Sequence, residues 1–463
     1  AWWIPAFEWN REEYLYSRTP LAEIGVAQTP LTLRTDDGLH LSIHEAALVD
    51  YAGMNLAKGD GGVLRAALTP GGGARGTAVV RAMPFATPWR TIQIGARAGD
   101  LAESSLILNL NEPNRLGDVS WFTPAKYVGV WWSLHLEQET WGTGPKHGAT
   151  TANTKRYIDF AAANGFRGVL VEGWNPGWDG DWFANGWGFD FTRPTADFDL
   201  EGLAEYAAGK GVHLIGHHET ACAVSHYERQ LPAALDLYAR NGVDVVKTGY
   251  VCDAGDIQRQ DQAGGPVSRE WHEGQWMSNH HLRVVEQAAQ RRIAINAHEP
   301  IKDTGLRRTY PNWISREGAR GQEFNAWGDP PNSPEHEVTL VYTRMLAGPM
   351  DYTPGVVSLT GKHGQEIGST LARQLALYVA IYSPIQMAAD LPEHYAGHPD
   401  AFQFIKDVAV DWDESRMLAG EVGEYAAIAR KVRGGGAWFI GAINDRNPRT
   451  LELALDFLDP GKR

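Results

Sequence analysis

Cysteine is scarce in this chain of 463 residues, with Cys222 and Cys252 its only two. Two thiols build no disulfide framework, and their surroundings hold no zinc-type spacing. They read as two buried thiols, or as one bridge if the compartment is oxidising. Runs of basic residues are lacking: Lys and Arg number 42 against 56 Asp and Glu, for a formal net charge of −14. Such a chain repels phosphate backbones, which excludes nucleic acid as a partner. No apolar stretch reaches the ~20 residues of a membrane-spanning helix. No secretory leader is visible, and the abrupt opening Ala1-Trp2-Trp3 reads as a mature or truncated start. With 43% hydrophobic and 21% charged residues, the composition excludes disorder, and the length suits two to four domains with a sizeable core.

Tryptophan is plentiful, at 18 residues. Most are expected in the core. The polar stretch from Trp174-Asn-Pro-Gly-Trp178 through Trp182 and Trp187 reads instead as a loop over a pocket. Flat aromatic faces there would suit the apolar C–H face of a pyranose ring.

Residues 1 to about 120 read as β. Leu31–Arg34, Leu39–Ile43 and Thr91–Gly95 alternate between turn residues, and Ser105–Leu110 reads as a buried strand. A β-sandwich is the simplest account. From about 126, strand-length apolar runs alternate with helix-length amphipathic ones. The strands are Tyr127–Trp132, Gly168–Glu172, His213–His217, Val243–Lys247 and Ile293–Ala297. The helices are Thr151–Asn164, Leu200–Gly209, Tyr227–Arg240 and Gln275–Arg292. This order predicts a parallel sheet. Later strands are expected at Gly321–Trp327 and Gly348–Thr353, and a long apolar helix at Leu371–Ala389. No glycine-rich phosphate loop follows the first strand, so a (β/α)8 barrel fits better than a dinucleotide fold. After about 395 the chain reads as strands again, at Tyr425–Ala429, Ala437–Gly441 and Leu451–Leu455. The expected domains are an N-terminal β-sandwich (1–122), a barrel (123–394) and a C-terminal antiparallel β-domain (395–463).

Barrel sites form at the C-terminal ends of the strands. Those ends carry Glu172, then His217, His218 and Glu219, then Lys247, then His298 and Glu299, followed in loops by Glu317 and Glu323. One acid at a strand end is ordinarily a solvated group, but recurrence at equivalent ends points to one pocket. Glycoside cleavage needs a protonated carboxyl to donate to the leaving oxygen and a second carboxylate to attack or to activate water. The glutamates here exceed that need and would repel one another. A hard cation such as Ca²⁺, which takes six to eight oxygens, would offset the repulsion. Zn²⁺ is disfavoured, because His217-His-Glu219 and Ala297-His-Glu299 lie on strands and not on a zinc-binding helix.

These residues resemble glycoside hydrolase family 97, bacterial α-glucosidases and α-galactosidases with a β-sandwich, a (β/α)8 barrel and a C-terminal β-domain. Ile43–Leu48, Tyr127–Trp132, Val171–Trp174, His217–Thr220, Val246–Tyr250, Asn296–Glu299, Arg308–Asn312, Glu317–Gly321 and Pro349–Pro354 carry the resemblance over nearly the whole chain. It implies Glu323 as general acid, Glu219 and Glu299 as carboxylates holding the attacking water, and Glu45, Glu299, Glu317 and Glu323 as Ca²⁺ ligands. It also implies Glu172, His217, Lys247 and His298 as contacts to the sugar. Glu45 comes from the resemblance alone, since Ser42–Glu45 otherwise reads as a sandwich strand with an exposed acid. Retaining members carry an aspartate nucleophile in a Lys-x-Asp pattern. Here the pattern is Lys247-Thr248-Gly249, and Asp253 is a poor substitute. The implication is an inverting α-glucosidase acting on α-linked oligosaccharides, periplasmic or secreted, with monomer and homodimer both open. An α-galactosidase, or a carbohydrate-binding protein without catalysis, is the alternative. The first domain is shorter than the family's, and the loop Asp253–Arg269 is longer. Cys222 and Cys252 follow neighbouring strands, where a bridge is conceivable.

Overall fold

A computed structural model describes residues 1–8, 12–72 and 76–458. At its centre lies a seven-stranded parallel sheet rolled into a nearly closed barrel. Its strands are Ala125–Val130, Gly168–Val171, His213–Glu219, Val245–Gly249, Ala294–Ala297, Trp313–Arg316 and Ile385–Met387. Each of the first five pairs with the next, and Ile385–Met387 closes back onto Ala125–Tyr127.

The register places the chemistry. His217 pairs with Lys247, Glu219 with Gly249, and Lys247 with Asn296, so successive strands end at one level. The helix Thr151–Asn164 starts where the Thr150 side chain accepts the Asn153 N–H and ends at Gly165 with φ 75°. Its buried face carries Tyr157, Ile158 and Ala161 into a core shared with Val169 and Leu203. Helices Val224–Arg240 and Gln275–Ala289 complete neighbouring units.

Several expected elements differ. Ser105–Leu110 is not a strand: Leu106–Asn109 forms one helical turn with Ile107 buried. Trp313–Arg316, not anticipated, is the sixth strand, whereas Gly321–Trp327 holds turns and the short helix Phe324–Trp327. The Gly348–Thr353 run contributes one bridge, Arg316 to Met350, where an eighth strand would stand. The long helix expected over Leu371–Ala389 stops at Ala380, before Ser383-Pro384, and the chain re-emerges as Ile385–Met387.

The first domain pairs a five-stranded antiparallel sheet with a three-stranded one. The C-terminal sheet has three strands, Trp412–Glu421, Tyr425–Val432 and Trp438–Asn444. Residues 451–455 join no strand, and Pro399–Asp407 is a helix. Its Phe402 stacks on Phe160 and Tyr395 beside the barrel.

Candidate active site

A cavity of about 380 Å³ opens at the C-terminal ends of the barrel strands. Glu172, His217, Glu219, Lys247, His298, Glu299 and Glu323 all line it, with Glu13, His135 and Trp141.

One wall is a buried ion pair. Lys247 Nζ lies 2.8 Å from Glu172 Oε1, and His217 Nε2 lies 3.5 Å from the same oxygen. Trp141 Nε1–H donates to the other oxygen at 2.9 Å. Burial alone would raise the Glu172 carboxyl, but Lys247 and His217 hold it well below the usual carboxylate range. Burial likewise opposes the charge on Lys247, and Glu172 overcomes it and raises the ammonium. His217 is brought down to about 4 by burial, so it is neutral near pH 7.

The opposite wall gathers carboxylates. Glu219 Oε1 accepts the Ala221 N–H at 2.7 Å and the Val251 N–H at 3.0 Å. Glu299 Oε2 accepts the Tyr250 N–H at 2.8 Å. Glu299 itself has φ 40°, a left-handed backbone that costs a non-glycine residue on the order of 1–3 kcal/mol. His298 lies between Glu317, 3.2 Å from Nδ1, and Asp351, 3.0 Å from Nε2. Burial and Lys247 oppose its charge, yet these carboxylates raise the imidazole to about 10. Both ring nitrogens therefore face carboxylates, and the ring offers the cavity positive charge more than a free hydrogen-bonding edge. Asp351 is fixed in turn by the Tyr127 hydroxyl and Asn296.

Glu323 sits 3.6 Å from His135. Burial first, then Glu317 and Glu299, pushes its carboxyl well above the ordinary value. A carboxyl shifted upward holds its proton more readily than a free one, the direction a general acid needs.

Among the described residues, two groups of side chains bring ligand atoms within 4.8 Å of one another: His298, Glu299 and Glu317, and Glu13, Glu317 and Glu323. Buried convergent carboxylate oxygens fit a hard dication. Glu45 belongs to neither group. It is buried in the first domain, where it accepts the Met54 N–H at 2.6 Å and pairs with Arg90. The first-domain carboxylate that reaches the barrel is Glu13, which nothing in its own stretch of sequence distinguished. His135, Asp351 and Trp141 were also missed, because none lies at an acid-bearing strand end.

Trp174 and Trp178 are both buried, but Trp178 lines the cavity, as the loop expected over a pocket would have it, and Trp174 does not. Trp174 Nε1–H donates to the His217 carbonyl, and Trp178 stacks on the His217 ring. Trp182, exposed Phe183 and Trp327 do line the cavity, whereas Trp187 bonds to Gln258. The loop after the fourth strand contains a small hairpin, Ile257–Arg259 with Ser268–Glu270. Behind it, Cys222 and Cys252 form a disulfide.

Comparison with known proteins converges on one family. The model described as Glycoside hydrolase 97 matches residues 131–319. Its N-terminal counterpart matches 1–113, and its C-terminal counterpart, described as an oligomerisation domain, matches 411–463. A retaining alpha-galactosidase of Bacteroides thetaiotaomicron is 30% identical over 97% of this chain and 67% of its own. A family 97 enzyme of Pseudoalteromonas sp. strain K8, solved in complex with acarbose, is 58% identical with a TM-score of 0.97, covering 99% of this chain and 70% of its own. A variant of that enzyme, solved in complex with panose, aligns equally well.

Proposed function

Because the chain belongs to glycoside hydrolase family 97, a premise its matches establish over all three domains, we propose that it hydrolyses terminal α-glucosidic bonds with inversion. The observation that carries this reading is the contact at Gly249. A Cβ there would lie 1.9 Å from Glu219 Oε2, so Glu219 fills the room that a nucleophilic side chain at 249 would need. Single displacement then assigns Glu219 and Glu299 to the attacking water, and the protonated Glu323 to the leaving oxygen. Glu172, His217 and Lys247 hold the sugar hydroxyls. A glucoside is favoured over a galactoside because the neighbour solved with acarbose and panose is 58% identical, against 30% for the galactosidase.

Glu299, Glu317 and Glu323, joined by Glu13, are proposed to hold Ca²⁺. When bound, a hard dication supplies charge that offsets the repulsion among them. A periplasmic or secreted location belongs to the same reading, and the Cys222–Cys252 disulfide supports it.

The test is a proton NMR time course on an α-glucoside. The β-anomer of glucose is expected first, and Glu323→Gln is expected to lower kcat by about a thousandfold. An α-anomer appearing first overturns inversion, and full activity of Glu323→Gln overturns the acid.

A further inference from the structure

We propose that the Cys222–Cys252 disulfide is a positioning element for the water-holding carboxylate Glu219, an inference that rests on the reading of Glu219 just given. The backbone carries the argument. Glu219 Oε1 is held by two N–H groups, those of Ala221 and Val251. Each donor immediately precedes one cysteine of the bridge, so the crosslink joins the two loops that form the fork.

Those loops have reason to drift without it. Ala221 and Cys222 have φ 38° and 68°, consecutive non-glycine residues in left-handed backbone. Such a conformation persists only where its surroundings enforce it. Around the bridge, Val224, Tyr250, Ile257 and Met277 form a small apolar cluster separate from the barrel cores. Tyr250, between Val251 and Gly249, also gives its N–H to Glu299. The strands beneath are already fixed by pairing, since Thr220 N–H reaches the Gly249 carbonyl. The bridge therefore adds nothing to the barrel wall. It fixes the turn beyond the wall, where the fork lies. Glu219 has little slack on its other side, because Oε2 rests against Gly249.

The contacts proposed for the sugar run through Glu172, Lys247 and His217, which are held by one another and not by this turn, although Val251 and Cys252 of the turn also line the cavity. Loss of the crosslink should thus act on the attack of water and spare binding. The experiment measures kcat and KM for the oxidised protein, for the same protein reduced under native conditions, and for Cys222→Ser/Cys252→Ser. Expected is a fall in kcat of about tenfold to a hundredfold with KM within about twofold, reversed when the reduced protein is reoxidised. Unchanged kcat, with mass spectrometry showing free thiols, overturns the proposal. So does a rise in KM that accounts for the whole loss.

A second arm replaces the carboxylate. In Glu219→Ala, azide supplied as an external nucleophile should restore equal turnover to the oxidised and reduced forms, since the group being positioned is gone. A rescued rate that still falls on reduction overturns the positioning role. Full activity of Glu219→Ala without azide identifies instead a failure of the underlying assignment. Reduction of the native protein keeps the test decisive should the double variant not fold.

Discussion

A hydrogen atom in place of a side chain at position 249 shapes the chemistry of the cavity. With a Cβ at 1.9 Å from Glu219 Oε2, any substitution must displace the Glu219 carboxylate, whereas Glu299 Oε2, at 3.4 Å, stays in ordinary contact. Gly249→Asp should therefore lower α-glucoside turnover by about a thousandfold and should not by itself create a retaining enzyme. Measurement of the rate and of the first product anomer checks both outcomes. Single residues were unevenly legible in the sequence. Glu172, Glu219, Glu299 and Lys247 announced themselves because strand ends in a barrel share one mouth. Glu317 and Glu323 are legible only as acids following the fifth strand, because the sixth strand that places them, Trp313–Arg316, is not. Glu13 did not, since the approach of a loop from another domain leaves no periodic trace. Glu45 was misplaced for the same reason: a buried acid in a sandwich strand pairs locally with Arg90 as readily as it reaches a distant pocket.

Among the elements, helices Val224–Arg240 and Gln275–Ala289 are joined by a half-buried clasp. His280 Nδ1–H donates to Glu228 at 2.7 Å, Arg283 pairs with the same carboxylate, and His280 Nε2 accepts the Tyr250 hydroxyl at 2.9 Å. Burial would raise the Glu228 carboxyl, but His280 and Arg283 bring it from 4.5 to about 2. A carboxyl depressed in the folded state contributes stability above its unfolded value, and that contribution is lost as pH falls toward the folded one. Glu228→Gln should accordingly cost roughly 1–2 kcal/mol at pH 7, with the gap to the native protein closing as pH falls below about 4.5. Thermal unfolding at pH 7 and pH 3.5 checks this, and a gap that stays constant contradicts it. Elements with punctuation were readable. Thr150 and Gly165 bound a helix that the structure reproduces residue for residue. Short apolar runs without punctuation, Ser105–Leu110 above all, were not, because six residues do not separate a period of 2 from one of 3.6.

For the molecule as a whole, the joint between first domain and barrel is polar and buried. Lys302, in the loop after the fifth strand, sends its ammonium into the first domain. There Nζ donates to the Met54 carbonyl at 2.7 Å and lies 3.9 Å from Glu45, while Glu273 of the barrel lies 3.0 Å away. Close by, His44 Nε2–H donates to the Asp303 carbonyl, and Ala47 N–H to that of Thr304. Lys302→Met takes the ammonium from buried Glu273, while Glu45 keeps Arg90, and should destabilise the protein by on the order of 3 kcal/mol, read as a shift in the urea midpoint. A shift near zero would show that the ammonium is dispensable. The three-part architecture was legible because grammar changes along the chain, from alternation to β-then-α repeats and back. The joint was not, since no local pattern records which domain a lysine will enter. That joint also limits how relatives can be recombined. A first domain transplanted from another member must bring acceptors that suit Lys302, or the chimera will bury an ammonium among groups that did not evolve to receive it.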